Sequence, residues 1–296
     1  MDGEQPEFLT TREVAALLRV RERKVYDLAA NGQIPCRRIT GKLLFPRTEI
    51  ERWLAGERGP AEPSPAKRAP EVVAGSHDPL LDWALRESGS GLASFFDGSL
   101  DGLERMARAE AIASGLHVFE PESGGWNLAH VAGRLSAAPV VLIEWAKRSR
   151  GLIIDPALEG HISRVGDLNG RRVARRQPAA GGQVLFDHLL AEAGLGDDAL
   201  APAGEPARTE AEAAASVASG QAEAAPGLEA MARQFRLGFV PLMSERYDIV
   251  IDRRAYFEPR WQAFVAFCQG SALAKKATEL GGYDLSSHGT VRWNGP

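Results

Sequence analysis

The stretch Leu9–Leu54, LTTREVAALLRVRERKVYDLAANGQIPCRRITGKLLFPRTEIERWL, decides how the N-terminal part of the chain folds. Thr10 is followed three residues later by Glu13, a capping-box spacing that predicts a helix from Thr11. Apolar residues then recur at helical spacing until an Arg-Val step interrupts them. A second helix is expected over about Arg21–Ala30, with apolar residues on one face and charged residues on the other.

The second half of this stretch predicts a hairpin and a last helix. Asn31–Gly32 is a helix stop, because glycine tolerates the left-handed conformation that ends many helices. Ile34–Arg38 and Lys42–Phe45 are expected to be two short strands around the Thr40–Gly41 turn. Pro46 is expected to begin the final helix. The whole stretch therefore predicts a small, mainly α-helical winged helix-turn-helix.

The charge of the chain is unevenly distributed. Leu9–Arg47 holds nine basic and three acidic residues, a local charge of +6, so the remainder carries −10 of the total of −4. Two short helices at this spacing allow the second to enter a major groove, and a basic hairpin suits phosphate or minor-groove contact. A basic module on an acidic body predicts DNA binding. The candidate DNA-binding residues are Arg21, Arg23, Lys24, Tyr26, Arg37, Arg38 and Lys42.

The same stretch resembles the excisionase-type, MerR-like helix-turn-helix family. The pattern L-T-x-x-E-V-A-x-L-L-x-V-x-x-x-x-V-Y-x-L…G-x-I-P…G…L-F-P…E-I-x-x-W-L covers the whole module. The resemblance implies a DNA-binding transcription regulator that acts on double-stranded DNA. The alternative is a small protein-binding helical unit whose charges are only its solvated surface.

Composition places the chain among ordinary globular proteins and divides it into domains. We assign 8–55 to the helix-turn-helix, 56–71 to a Pro-rich linker with almost no large apolar residue, and 72–296 to a larger domain. No apolar run is long enough for a membrane span, and MDGEQPEF does not resemble a secretory signal. The two cysteines, Cys36 and Cys268, lack metal-ligand spacing and suit a reducing cytoplasm, so we expect a cytoplasmic protein.

From Val72 onward, short apolar runs alternate with helical patterns, which predicts an α/β sheet domain. A small polar turn at a helix start recurs at Ser76, Ser99, Gly181–Gly182 and Thr209. Helix N-termini present free N–H groups, so several that converge could bind an anion. Serine and threonine are also the commonest helix caps, and the spacing alone leaves both interpretations open.

This larger region resembles the periplasmic-binding-protein-like domain of a group of helix-turn-helix regulators. The similarity rests on GSHDPLLDWAL, GSLDGLERMARAEAIASGLHVFEPESGGWN, DLNGRRVARRQPAAGGQVLFDHLL, ERYDIVID and AFCQGSALAKKATELGGYD. It implies the type II solute-receptor fold: two α/β lobes, two hinge crossings and a ligand cleft, with molybdate or tungstate as the leading effector. The ligand-binding residues that it implies are Ser76, His77, Asp78, Ser99, Arg176, Gln183, Thr209 and Tyr247.

Two positions depart from the family pattern. Glu210 stands where a histidine is expected after Thr209, and Ala225-Pro226-Gly227 replaces a more glycine-rich turn. A carboxylate in the cleft would repel an oxyanion unless it is turned away or protonated. The ligand could therefore also be a polar or cationic molecule.

Motifs for other chemistry are absent from the sequence. It has no P-loop, no GxGxxG and no HExxH, and its six histidines lack metal-ligand spacing; we expect only His77 to have a functional role. The consecutive Ser76-His77-Asp78 cannot adopt triad geometry. We therefore predict no catalytic residue, no metal and no cofactor, and a ligand-sensing, non-enzymatic regulator that binds DNA as a homodimer. The rival hypotheses are an enzyme of molybdenum-cofactor metabolism and an architectural, excisionase-like DNA binder.

Overall fold

A computed structural model describes residues 7–30, 33–39, 42–54, 69–178 and 180–296, and it divides the chain into two compact units, Met1–Arg68 and Ala69–Pro296. The predicted turns at Asn31–Gly32 and Thr40–Gly41, and nearly all of the predicted linker, lie outside the described residues. Among the described residues, no helix combines the length and the apolar content that crossing a membrane requires.

The N-terminal unit is a helix-turn-helix with a hairpin, as the sequence predicted. Its elements are β1 (Phe8–Thr10), α1 (Thr11–Leu18), α2 (Glu22–Ala30), β2 (Arg37–Ile39), β3 (Lys42–Pro46) and α3 (Arg47–Leu54). The capping box is confirmed: the Thr10 hydroxyl accepts from the backbone N–H of Glu13 at 3.3 Å, and the Glu13 carboxylate accepts from the backbone N–H of Thr10 at 2.7 Å.

Three details of this unit differ from the prediction. The first hairpin strand was expected over Ile34–Arg38, whereas β2 is Arg37–Ile39. Strand β1 was not expected; it pairs antiparallel with β3 and makes the hairpin a three-stranded sheet. Pro46 ends β3 instead of starting α3, because it pairs with Phe8 across the sheet. A small apolar core lies beneath the sheet and helices, formed by Leu9, Val14, Ala15, Val25, Ile34, Phe45 and Ile50.

The C-terminal unit is an α/β domain with two lobes. Its strands are β4 (Val72–Gly75), β5 (Ala93–Phe95), β6 (Ala113–Leu116), β7 (Phe119–Glu120), β8 (Gly125–Trp126), β9 (Val140–Ile154), β10 (Arg172–Val173), β11 (Ala201–Pro202), β12 (Ala224–Leu228), β13 (Gly238–Asp252), β14 (Tyr283–Asp284) and β15 (Val291–Asn294). Its helices are α4 (Pro79–Glu87), α5 (Ser99–Ala107), α6 (Leu128–Arg134), α7 (Gly181–Glu192), α8 (Glu210–Ala218), α9 (Glu229–Phe235), α10 (Pro259–Cys268) and α11 (Ser271–Leu280).

Two long strands, β9 and β13, join the lobes. They run antiparallel over their whole length, and the sheet has the order β11-β10-β12-β9-β13-β6-β4-β5. The first lobe therefore contains β4–β6, and the second contains β10–β12. The sequence had suggested separate strands at Val140–Glu144 and from Gly151, but the structure has one strand of 15 residues there, because the charged residues between them continue the pairing with β13. The predicted two-lobed α/β fold is confirmed.

Each lobe has its own apolar core, so each is a stable body on its own side of the crossing strands. The largest core packs β4, β6, β9 and β13 of the first lobe against α4, α10 and α11. Four smaller cores fill the second lobe and the other face of the first. The crossing strands link the two lobes covalently, and the polar residues of the cleft lie on and beside them.

Candidate functional site

The cleft lies where β9 and β13 cross between the lobes. Arg148 and Arg150 alternate along β9, and Glu245 and Tyr247 alternate along β13; Glu245 pairs with Arg148 across the ladder, and Tyr247 pairs with the neighbouring Ala146. Alternate residues of a strand face the same side, so these four side chains all point toward one space. All four are buried. The segments Lys147–Arg150 (K-R-S-R) and Glu245–Asp248 (E-R-Y-D) therefore supply the charged residues at the floor of the cleft.

A buried hydrogen-bond chain connects the first lobe to this floor. The Ser76 hydroxyl lies 2.9 Å from Nε2 of His117, and Nδ1 of His117 lies 3.1 Å from Oε2 of Glu245. The carboxylate can only accept, so Nδ1 carries the imidazole proton and the Ser76 hydroxyl donates to Nε2. Burial lowers the pKa of His117, although the nearby Glu245 opposes this shift. His117 is therefore neutral and fixed in one tautomer.

Ser76 is positioned by a tight turn at the end of β4. Gly75 has a φ of +106°, and a Cβ at this position would lie 2.1 Å from the carbonyl oxygen of Gly115 on the neighbouring strand. Only glycine fits that close approach. The Tyr247 hydroxyl donates to the carbonyl oxygen of Ser76, and the Ser99 hydroxyl accepts from the backbone N–H of His117 at 3.2 Å.

Asp78 joins several elements of the first lobe through hydrogen bonds to its carboxylate. Its carboxylate caps α4 through the backbone N–H of Leu81 at 2.7 Å. It also accepts from Trp145 Nε1 at 3.0 Å, from Arg148 Nη1 at 2.9 Å and from the Tyr283 hydroxyl at 2.7 Å. Four donors leave little capacity for a ligand, so the role of Asp78 is to hold Arg148 and the floor of the cleft in place.

Three arginines and three carboxylates form one buried charge network across the floor. Glu245 bridges Arg148 and Arg150, while Glu210 accepts from Arg150 Nη2 at 2.8 Å and lies 3.0 Å from Arg176 Nη1. With Asp78 paired to Arg148, the formal charges cancel. Burial would raise the pKa of Glu210, but Arg150 and Arg176 outweigh it and lower that pKa to about 2. Glu210 is therefore ionised at neutral pH.

The second lobe closes on the first through the N-terminus of α7. A Cβ on Gly181 would lie 2.7 Å from the carbonyl oxygen of His117, and a Cβ on Gly182 would lie 2.8 Å from Arg150 Nη1. Among the residues that the structure describes, no side chain caps α7. Gln183, in the first turn, accepts from the backbone N–H of Arg176 at 2.6 Å and donates to Asp187 at 2.7 Å. The two glycines let this helix end approach the first lobe closely.

The structure thus brings most of the sequence-predicted ligand residues to one place. Ser76, Ser99, Arg176, Gln183 and Tyr247 line or support the cleft, and Asp78 lies at its base, as described above. Thr209 caps α8 through the backbone N–H of Glu212 at 3.0 Å. His77 packs edge-on against Phe96 with ring centroids 5.6 Å apart, and its Nε2 lies 3.9 Å from Asp82. These contacts turn His77 away from the network.

Several members of the network were not expected from the sequence. His117, for which no functional role was expected, joins Ser76 to Glu245. Arg148, Arg150 and Glu245 were not expected in the site either. The available signal was charge at alternate positions within a strand that is otherwise apolar, which is unusual unless the charges are paired or functional. Within the described ranges, no group of three or more His, Cys, Asp or Glu residues is placed to hold a metal ion.

The candidate DNA-binding residues lie mostly on the surface of the helix-turn-helix unit. Arg21 precedes α2, and Arg23, Lys24 and Tyr26 are exposed on it. Arg38 and Lys42 are exposed on the hairpin, whereas Arg37 is partly covered and donates to Glu49 at 2.7 Å. The exposed cations therefore occupy one helix and one hairpin, the two elements that a winged helix-turn-helix presents to DNA.

Comparison with family models identifies both units. Residues 8–58 match a helix-turn-helix domain model, and residues 82–269 match the model of a PBP superfamily domain. A Bacillus subtilis (strain 168) protein, the uncharacterized YvgK, is 26% identical over 300 residues, covering 95% of this chain and 96% of YvgK. An uncharacterized Clostridium pasteurianum protein from the 5′ region of a ferredoxin 2Fe-2S gene is 34% identical over 79 residues, covering 26% of this chain and 70% of that protein.

A solved structure shares the fold of the larger unit. It is a putative phosphate ABC transporter substrate-binding protein from Clostridium perfringens with bound phosphate, with a TM-score of 0.52 and 10% sequence identity. The match covers 71% of this chain and 96% of that protein. At this identity the similarity establishes a common architecture and nothing about the ligand of this chain.

Proposed function

The chain belongs to the PBP superfamily, and we propose that it is a one-component transcription regulator whose helix-turn-helix binds DNA under the control of a small ligand in the cleft. The observation that carries the proposal is the close contact between the two lobes. They meet around Ser76, His117, Arg150 and the N-terminus of α7, on a chain that also carries a helix-turn-helix unit. Closure can control DNA binding only by the difference in ligand affinity between the open and closed states.

We propose a small oxyanion as the ligand class. The N-terminus of α7 offers backbone N–H groups and the positive end of the helix dipole, and Arg150 and Arg176 lie beside it. Resemblance to molybdate- and tungstate-linked regulators makes these two ions the first to test, with sulfate and phosphate beside them. The regulator would act in the cytoplasm as a homodimer, since most helix-turn-helix proteins of this kind bind paired half-sites.

The test measures DNA binding and ligand binding on the full chain. DNA fragments selected by the protein from a random pool would be titrated by fluorescence anisotropy, with and without each oxyanion. We expect at least one oxyanion to raise the unfolding temperature and to change the affinity for DNA. An unchanged unfolding temperature and an unchanged DNA affinity with all four ions would contradict the oxyanion proposal.

A variant that prevents closure sharpens this test. Gly181→Ala adds a Cβ that would lie 2.7 Å from the backbone carbonyl of His117, so the closed state becomes unfavourable. We expect Gly181→Ala to bind DNA as the ligand-free protein does and to lose its response to the oxyanion. Gly133→Ala is the matched control, because a Cβ there meets no atom within 4 Å. A full response in Gly181→Ala would mean that closure at α7 is not the switch.

One observation favours a second candidate, an acyl-transfer enzyme. Ser76, His117 and Glu245 are connected in the order of a nucleophile, base and acid triad. In such a reaction the Ser76 oxygen would attack a carbonyl carbon, and its proton would pass to His117 and then to the leaving group. However, Glu245 is shared with Arg148 and Arg150, whose positive charges disfavour the imidazolium ion that this step requires. Covalent labelling of Ser76 by a fluorophosphonate, lost in His117→Ala, would establish the enzyme; no labelling would leave the binding function.

A further inference from the structure

A cavity of about 320 Å³ lies inside the first lobe, apart from the cleft. Strands β9 and β13 and helix α10 contribute to its wall, and no member of the buried charge network lines it. Trp145 connects the two places: its ring lines the cavity, and its Nε1 donates to Asp78 at 3.0 Å. The volume is at the lower end of the roughly 300–1,000 Å³ of small-molecule sites, so the cavity suits a ligand of one or two rings.

The wall of this cavity is largely aromatic. The aromatic side chains that line it are Trp145, Tyr256, Trp261 and Phe264. The ring centroids of Trp145 and Phe264 are 5.9 Å apart, and those of Trp261 and Phe264 are 5.2 Å apart with an angle of 49° between the planes. A further ring can join such stacked and tilted contacts, because ring faces and ring edges carry opposite partial charges. The wall therefore favours a planar aromatic ligand.

The cavity offers almost no charge to a ligand. Among the described residues that line it there is no Lys, Arg or Asp. Glu144 is one of them, but its carboxylate accepts from Arg292 Nε at 2.7 Å, so its charge is already paired. Cys268 lines the cavity as a neutral thiol, because burial raises its pKa to about 12. The ligand is therefore expected to be uncharged, unlike an oxyanion.

Trp261 supplies the polar group that can select a ligand. The residue is only 3% exposed, and its Nε1 is buried with no hydrogen-bond partner among the described residues. An indole N–H can only donate, and a buried donor without an acceptor costs free energy. Gln269 and His288 also line the cavity, but neither is buried, so both can bond water. Trp261 therefore favours a ligand that brings a hydrogen-bond acceptor.

We propose that this cavity is a second ligand site of the larger domain, for a small, uncharged, planar aromatic molecule whose hydrogen-bond acceptor pairs with Trp261 Nε1. The rings of the ligand pack against Trp145 and Phe264. The site is independent of the oxyanion proposed for the cleft, because it shares no residue with the charge network there.

The experiment compares two uncharged molecules of similar size and shape. Quinoline has two fused rings and a nitrogen that accepts a hydrogen bond, whereas indole has two fused rings and an N–H that donates one. Isothermal titration of the full chain at pH 7 would measure both. We expect quinoline to bind roughly fivefold to fiftyfold more tightly, because indole leaves Trp261 Nε1 unpaired.

One variant assigns this preference to Trp261. Trp261→Phe keeps an aromatic ring and removes the N–H, so we expect the quinoline-to-indole affinity ratio to fall toward one. Trp293→Phe is the matched control, because Trp293 is a partly buried tryptophan on β15 that does not line the cavity. This control should keep the wild-type ratio.

Another variant tests whether quinoline binds in this cavity. Val265→Phe adds a ring at a position of α10 that lines the cavity, so we expect quinoline binding to weaken at least about tenfold as the ring fills the space. Ala266→Phe adds the same ring at the exposed neighbouring position of the helix and should leave the affinity unchanged. Circular dichroism checks the folding of all four variants, and the wild-type comparison tests the proposal without them.

Each outcome decides for or against the site. Failure of the wild type to bind quinoline, equal affinity for quinoline and indole, or an unchanged ratio in a folded Trp261→Phe overturns the proposal. Full quinoline binding by a folded Val265→Phe also overturns it, because the ligand then lies elsewhere. A wild-type preference for quinoline that Trp261→Phe removes, together with weakened binding in Val265→Phe alone of the α10 pair, establishes the site.

Discussion

The helix-turn-helix unit and the cleft both depend on arginines, but they use them in opposite ways. On α2 and the hairpin the cations Arg23, Lys24 and Arg38 are exposed. In the cleft, Arg148 and Arg150 are buried and each contacts two carboxylates. An exposed cation is available to a polyanion such as DNA. A buried and paired cation instead holds its neighbours in position, and a ligand can bind it only by competing with its carboxylate partners.

Loss of an arginine should therefore have a different consequence in each region. Loss of a cleft arginine leaves buried carboxylates uncompensated, so the effect falls on folding. Loss of a surface cation on α2 leaves the fold intact, so the effect falls on DNA affinity and on its salt dependence. Substitutions in both regions test this contrast.

The largest effect is expected for Arg150→Met, which preserves much of the side-chain volume and removes the charge. Glu210 and Glu245 would remain buried with one fewer cation, so we expect a loss of about 3–5 kcal/mol in the free energy of unfolding. Urea unfolding monitored by tryptophan fluorescence measures it. Arg164→Met is the control, since that side chain is 81% exposed, and it should cost less than about 0.5 kcal/mol. Equal costs for the two variants would mean that the network does not hold the lobes.

The next largest effect is a pH dependence of stability that arises from Asp248, a carboxylate whose burial outweighs the stabilising contacts of its charged form. Burial raises the pKa of Asp248 to about 6; Arg246 and Asn127 lower it, and Glu144 raises it further. The protonated form is the one favoured by folding. Its stabilising contribution is fully present below pH 4 and is lost as the pH rises through about 6, an effect on the order of 2–3 kcal/mol.

Asp248→Asn should abolish this part of the pH dependence. We expect the variant to gain stability relative to the wild type as the pH rises from 4 to 7, measured as the difference in unfolding free energy at each pH. Asp101→Asn, at an exposed position in the first turn of α5, is the control and should track the wild type. A constant difference between Asp248→Asn and wild type across this range would contradict the raised pKa.

These two predictions depend on residues that the sequence did not single out, and the reason is physical. Exposed charges on α2 and the hairpin follow from a local pattern, since helix periodicity and turn residues decide which side chains face outward. The capping box at Thr10 and Glu13 is equally local. The partners in the cleft are distant in sequence: Asp78 meets Tyr283, and His117 meets Glu245. Such partners depend on the register of β9 against β13, which no local pattern determines.

The contrast is also visible in how single elements were predicted. The starts of α4 and α8 were expected near Ser76 and Thr209, where small polar turns occur, and the structure has Asp78 and Thr209 as the caps. Strand β9 was expected as two shorter strands, since charged residues at its centre interrupt the apolar pattern. Those charges can be buried only because they pair with one another, and the pairs form only when both strands are in place: Arg148 and Arg150 lie on β9 and their partner Glu245 lies on β13.

DNA binding is the third prediction, and its expected effect is smaller in free energy. Arg23→Ala with Lys24→Ala removes two exposed cations of α2, so we expect affinity for selected DNA to fall roughly tenfold to hundredfold. The slope of log K against log salt should flatten by about 2, one for each lost phosphate contact. Arg164→Ala with Lys275→Ala removes two exposed cations of the C-terminal unit and is the control. An unchanged slope in the α2 variant would place the DNA-binding surface elsewhere.

The smallest effect is expected at the helix caps, where the two regions should behave alike. Thr10→Ala removes the hydroxyl that caps α1, and Thr209→Ala removes the one that caps α8. Each should cost about 1 kcal/mol, because the contact is a local hydrogen bond at the surface in both cases. Thr278→Ala, which removes a hydroxyl near the end of α11 that bonds within its own helix, should cost less. If Thr209→Ala cost as much as Arg150→Met, then Thr209 would belong to the cleft network, and the buried charge network would extend to the N-terminus of α8.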